Sequence, residues 1–261
     1  MEISLHDWIY SNYPPNSGIN GRYGVVHIGV ILLCIALVVA IACLHKKSER
    51  TKIIVYRTLA FFILLFEISR RIINFTRGGD ISLDTALYYL MPRPWCAISC
   101  WLTIAASLVN KKALYNYSAI CSLLCALVFF AYPVVGFHHK VYLFENVYSV
   151  GTHALLLVTS LSAITLGLSD FRYVRTKNSG AWWELLLLVL TFAYAFFEVF
   201  VLQIEPDPMY FLANNDVQKV LGVTYPIYLV IYAGFLVLYF NTFYIVQYLV
   251  QRKRKTPAVN A

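Results

Sequence analysis

The sequence predicts an all-α fold: a polytopic membrane protein built as a seven-transmembrane-helix bundle, with the N-terminus outside and the C-terminus cytoplasmic. Three observations predict it. Of 261 residues, 60% are hydrophobic and only 13% are charged, about half the charge of a soluble domain, and the mean hydropathy is +0.66. Seven apolar segments are long enough to cross a hydrocarbon core that takes roughly 20 helical residues. Basic residues gather in alternate connections. Together these exclude a soluble globular enzyme, a disordered chain and a nucleic-acid binder, because the net charge of +8 is split into short clusters between apolar runs.

In chain order, the leading segment Met1–Pro15 is polar and acidic and lacks the basic-then-apolar pattern of a cleaved leader. Spans follow near 23–44, 53–75, 87–109, 113–136, 147–169, 181–203 and 221–250. The third opens irregularly, since Pro92 and Pro94 interrupt helix where it enters the membrane. The seventh carries Pro226 near its start, which predicts a kink or a tilt. No alternating strand pattern appears, and in lipid only a helix satisfies its own backbone. Residues 1–261 read as a single membrane domain with short loops and no internal repeat, its longest connections being 76–88 and 204–220.

Orientation comes from the loops. Lys46, Lys47, Arg50, Lys52 and Arg57 follow span one, and Lys111 and Lys112 follow span three. Arg172, Arg175 and Lys177 follow span five, and Arg252, Lys253, Arg254 and Lys255 follow span seven. The other side holds Arg22, Arg70, Arg71, Arg77, Arg93, Lys140 and Lys219, half as many. The positive-inside bias then sets the C-terminus in the cytoplasm.

Ionisable groups inside spans are site candidates by default. At 1.5 Å per residue, Glu67, Cys96, His153 and Glu198 all lie roughly 20–24 Å from the cytoplasmic edge of their spans. The arithmetic sets a common level, not a common facing. The six cysteines lie in apolar stretches, so their even number is no disulfide framework. Cys34, Cys43, Cys121 and Cys125 read as small packing residues. Cys96 differs because Pro92-Arg93-Pro94-Trp95 precedes it, and a broken helix start with an arginine nearby favours a thiolate. His153 alone would be an interhelical hydrogen-bonding group; with a cysteine at its depth it completes a minimal nucleophile–base pair. Glu67, with Arg70 and Arg71 three and four residues on, reads either as a neutralised membrane acid or as the orienter of an arginine pair. Arg70, Arg71 and Arg93 are the candidate phosphate-binding groups for a membrane phospholipid. No metal or other cofactor is expected. His138 and His139 are adjacent and share no helical face, and Cys96, Cys100 and His153 are too few ligands in too apolar a setting.

These residues support two readings. In the first, Cys96 attacks a lipid acyl ester, His153 serves as base and then acid, and Glu67 or Glu198 orients the imidazole. In the second the protein is a transporter or small-molecule binder whose polar path is lined by Glu67, Glu198, Arg70 and Arg71, a use to which proline-broken helices are also suited. A retinal protein is excluded because span seven holds no intramembrane lysine.

Three sequence pieces carry a family resemblance: Phe66-Glu67-Ile68-Ser69-Arg70-Arg71, Leu90-Met91-Pro92-Arg93-Pro94-Trp95-Cys96 and Thr152-His153-Ala154-Leu155-Leu156. Together with the seven-span layout, they resemble the YwaF family of bacterial integral membrane proteins and its animal relative, the transmembrane protein 164 family. The resemblance implies a thiol-dependent acyltransferase that moves acyl chains between glycerophospholipids, with Cys96 and His153 in the places of that family's Cys and His. Relatives in the androgen-induced protein group use a Thr and a His on lipid esters in a similar bundle. One departure stands out: Pro94 occupies the place two before the Cys where family members often carry His or Gln. The resemblance implies a plasma membrane for a bacterial member and an endomembrane for a eukaryotic one.

Overall fold

The computed structural model describes residues 4–10, 23–77, 86, 89–92, 95–131, 137, 143–173, 180–202, 210, 212–213 and 215–255. Among them the chain is helical and no strand occurs. In order the helices are α1 (Leu5–Tyr10), α2 (Val25–Ala42), α3 (Glu49–Arg77), α4 (Trp95–Val109), α5 (Lys112–Ala131), α6 (Phe144–Thr165), α7 (Ala181–Phe196, continued by a π turn Phe197–Val201), α8 (Asp216–Leu221) and α9 (Tyr225–Lys255).

Five of these are long and apolar enough to cross a membrane: α2, α5, α6, α7 with its π turn, and α9 over Tyr225–Arg252. The other two expected spans differ in kind. Helix α3 has 29 residues, roughly 43 Å at 1.5 Å each, but charges crowd both its ends. Helix α4 is apolar but has only 15 residues, roughly 22 Å and short of a 30 Å core. The irregular opening expected for span three is present: Met91 and Pro92 lie outside helix and α4 starts at Trp95. Pro226 is the second residue of α9, where its missing N–H would have had no helical partner, so it starts the helix rather than kinking it.

Helices α5 and α6 are central and bury more than half their residues, while α2 and α9 are peripheral and bury fewer than one in five. The packing logic is that of small residues. Ala97, Ser99, Cys100, Thr103 and Ala106 of α4 are buried against α5, whose own buried face includes Ser118, Ala119, Ser122 and Cys125. Without a solvent to drive helices together in lipid, close backbone approach and hydrogen bonds across the seam do that work. Here Ser99 Oγ meets Cys125 Sγ at 3.3 Å and Thr103 Oγ1 meets Ser122 Oγ at 3.1 Å. Cys34 and Cys121 are buried as expected, but Cys43 is exposed. It caps α2 at the C-terminal end, one residue past the packed face.

A polar lock closes one end of the bundle, where α4 passes into α5. Asn116 Nδ2 donates to the Asp170 carbonyl at 2.8 Å and to Glu184 Oε1 at 2.7 Å. Its Oδ1 accepts from Asp170 N at 2.7 Å. Gln247 donates to Asp170 Oδ1 at 2.7 Å and accepts from Phe171 N at 2.8 Å. Arg172 and Lys112 pair with the Asp170 carboxylate. Four elements are joined there: α5, the segment after α6, the first turn of α7, and α9.

Candidate catalytic site

The opposite end of the same helices holds the candidate residues. Glu67, in the C-terminal half of α3, is fully buried. Its Oε2 accepts from Arg71 Nη2 at 2.9 Å and its Oε1 from the Tyr148 hydroxyl of α6 at 2.6 Å. The Arg71 pair is an i,i+4 pair on one helical face, and burial makes it worth breaking only at a cost. Tyr148 reaches Glu67 because α6 runs close to α3. Gly151 allows that approach: a Cβ there would meet Phe66 Cζ at 3.0 Å.

Arg71 also carries the link to the nucleophile candidate. Its Nη1 donates to the carbonyls of Tyr89 at 3.2 Å, Leu90, and Met91 at 3.1 Å. The next carbonyl, Pro92, faces the Tyr194 hydroxyl at 3.5 Å. Tyr194 in turn donates to Glu198 Oε1 at 2.9 Å. Glu198 is fully buried and lies in the π turn that ends α7, the kind of bulge often found at functional sites. Two buried carboxylates, one on each side, thus anchor two arms that hold four successive carbonyls just ahead of α4. Cys96 is the second residue of that helix and is half-buried.

His153 is half-buried on α6. Its Nδ1 faces the Ser149 carbonyl at 2.7 Å. A carbonyl only accepts, so Nδ1 carries the proton and Nε2 is left as the basic nitrogen of the neutral ring. The ring stacks on Phe129 at 3.9 Å between centroids and 7° between planes, which fixes its plane. Arg70 Nη1 donates to the Tyr148 hydroxyl at 3.3 Å and its guanidinium lies 5.0 Å from that ring. Cys96 packs into the same apolar cluster as Phe129, on which the His153 ring is stacked.

Of the residues singled out from sequence, Glu67 and Arg70 meet at the Tyr148 hydroxyl, Cys96 and His153 meet at Phe129 and its cluster, and Glu198 joins through Tyr194 and Pro92. Arg71 is engaged by Glu67 and the backbone. Arg93, Pro94, His138 and His139 lie outside the described residues. Four participants were not singled out: Tyr148, Ser149, Phe129 and Tyr194. Only Tyr194 left a signal, standing four residues before Glu198 on one helical face. Ser149 acts through its backbone, and the other two through contacts between helices, which spacing along the chain does not show. Among the described residues no group of three or more His, Cys, Asp or Glu is gathered that would hold a metal.

Neither a curated protein nor a solved structure matches the chain. A family match does exist, and it runs over residues 22–244, from just before α2 to within α9 and across every residue of this site. The chain belongs to the TMEM164 family.

Proposed function

We propose that this membrane protein is a thiol-dependent lipid acyltransferase or lipid ester hydrolase, crossing the bilayer seven times with its N-terminus and this site on the outer side. The observation that carries the reading is that Cys96, at the start of α4, packs into the same cluster as Phe129, on which the His153 ring is stacked. In the reaction the Cys96 proton passes to His153 Nε2, and the thiolate adds to the acyl carbonyl of a phospholipid. The tetrahedral intermediate collapses to a thioester, and the lysolipid alkoxide leaves with the proton held on Nε2. A second lysolipid hydroxyl, or water, then gives its proton to Nε2 and attacks the thioester, which restores the thiol. Backbone N–H groups in the first turn of α4, which by their position have no helical carbonyl four residues back, are the candidate oxyanion donors.

Glu67 and Glu198 serve this scheme as anchors. Each holds an arm on the segment before Cys96, while the imidazole is oriented by the Ser149 carbonyl and Phe129. The transport reading is supported less well, because both Glu67 oxygens and both terminal nitrogens of Arg71 are already engaged.

The test is acyl-chain exchange among phospholipids in proteoliposomes, read by lipid mass spectrometry. Cys96→Ala and His153→Ala should each lower the rate about a thousandfold or more, and the double variant little further, because a nucleophile and its base act as a unit. Full activity in Cys96→Ala would end the proposal. So would a wild-type protein that neither exchanges nor hydrolyses any common phospholipid, and altered solute flux in Glu67→Gln would then favour transport. Orientation is tested separately with a cysteine in place of Lys255. Labelling from outside intact cells would overturn it.

A further inference from the structure

Beside the site, between α3 and the start of α4, lies a cavity of about 290 Å³ with an apolar surface. We propose that it seats one ester-linked acyl chain of a phospholipid and is that chain's entry from the bilayer; this rests on the lipid-directed reading above. Ile68, Ile72, Phe75, Leu90 and Trp101 line it together with Arg71. Ligand pockets run roughly 300–1,000 Å³, so this volume takes a single chain segment and not a whole lipid. Its walls include Ile68, Ile72 and Leu90, all exposed on the outside of the helices, so it opens sideways, toward lipid.

Polar groups buried behind the cavity's apolar wall distinguish an ester from a free acid. Arg71 stands over the Trp101 ring, with its guanidinium 5.4 Å from the centroid. Arg71 Nε and Trp101 Nε1 are buried donors for which no acceptor occurs among the described residues. An ester carbonyl brings acceptor oxygens without charge. A fatty-acid carboxylate would bring a second negative charge to an arginine already paired with Glu67 at 2.9 Å. The same Arg71 holds the carbonyls of Tyr89, Leu90 and Met91, five to seven residues before Cys96. A chain seated here therefore has its ester end beside the segment that leads to the nucleophile.

The experiment uses the full-length Cys96→Ala protein in phosphatidylcholine vesicles with a trace of phosphatidylcholine bearing a diazirine on one acyl chain. After irradiation, labelled peptides are mapped by mass spectrometry. Label is expected at Phe75 and Trp101 well above that on Leu32 and Leu33, which are exposed on α2. Ile72→Trp and Leu90→Trp, introduced separately, each fill the cavity from one wall. In either folded variant the Phe75 and Trp101 label should be lost while that on α2 persists. Equal labelling of α2 and the cavity, or label that survives both substitutions, overturns the proposal. Labelling by a free diazirine fatty acid but not by the phosphatidylcholine probe also overturns it. Because no turnover is needed, cavity labelling without acyl exchange in the wild type would sink the enzyme reading alone, and exchange without cavity labelling would sink this one alone.

Discussion

The bundle carries a buried polar cluster at each end, and the two are built from different materials. At one end Asn116, Asp170, Glu184 and Gln247 join four elements largely through amide and backbone groups. At the other, Glu67, Arg70, Arg71 and Tyr148 join charges to a phenol, and the half-buried Cys96 and His153 stand beside them. The first cluster uses side chains to substitute for backbone partners where helices stop, which is what any helix end in a bundle requires. Both clusters hold charged groups, but the second spends its bonds on one irregular segment ahead of one cysteine. The comparison teaches that burial alone does not mark a site; what marks this one is that Cys96 and His153 remain partly accessible while the two anchoring carboxylates, Glu67 and Glu198, are fully buried.

The largest effect that separates the ends is expected at Glu67. Glu67→Ala leaves the Arg71 guanidinium buried without its carboxylate and should cost about 3–5 kcal/mol, the usual penalty for one half of a buried ion pair. Thermal unfolding in detergent measures it. The same variant should lose acyl exchange out of proportion to the fraction unfolded, since the arm on Tyr89–Met91 loses its anchor. If exchange per folded molecule is unchanged, the cluster is structural, like its counterpart.

Asn116→Ala tests the other end. It strands the Asp170 amide and Glu184 Oε1 in a buried setting, and about 1–3 kcal/mol for each group left unpaired is expected. Exchange per folded molecule should stay at the wild-type value, because the site lies at the far ends of α4 and α6. A selective loss of exchange there would break the division between the two clusters.

How far this division was legible in sequence follows from the range of each signal. Apolar length and charge placement showed an all-helical membrane chain, because those signals act along one segment at a time. The span expected from near 87 opens in pieces: residues 89–90 are helical, 91–92 are not, and α4 begins at Trp95. Depth arithmetic brought Glu67, Cys96, His153 and Glu198 to one level, but it could not assign partners. Arg71 shows why. Its i,i+4 spacing to Glu67 is readable, whereas its bonds to the Tyr89, Leu90 and Met91 carbonyls depend on how α3 meets the segment ahead of α4. The lock around Asn116 was not singled out at all, because asparagine in an apolar run gives no periodic signal and its partner Asp170 lies 54 residues away.

A smaller effect sharpens the comparison inside the Glu67 cluster. Tyr148→Phe removes one hydroxyl that donates to Glu67 and accepts from Arg70. A bond to a charged group contributes about 1.5–3 kcal/mol, and the retained ring keeps the cation–π contact with Arg70. Melting should fall by less than in Glu67→Ala. Exchange should fall as well, because Arg70 loses its hydrogen-bonded support beside the site. Unaltered exchange would remove Tyr148 from the positioning role.

The smallest effect is expected at Cys121, which tests whether buried sulfur matters of itself. Cys121 lies on α5 with 1% of its surface exposed, packed among Tyr117, Ile120 and Phe240. Like Cys96 it is a thiol inside an apolar bundle, but it sits mid-helix, away from any broken helix start. Cys121→Ala removes one atom from a packed wall, so the loss should be about 1 kcal/mol, near the low end for a large-to-small core change. Exchange should be unchanged, and a thiol-directed lipid probe should label the variant as strongly as the wild type. Cys96→Ala should reverse both outcomes, keeping its melting temperature and losing its label. If instead Cys121→Ala lost label or activity, reactivity would not follow from the broken helix start, and Cys96 would forfeit its distinction from the other buried cysteines.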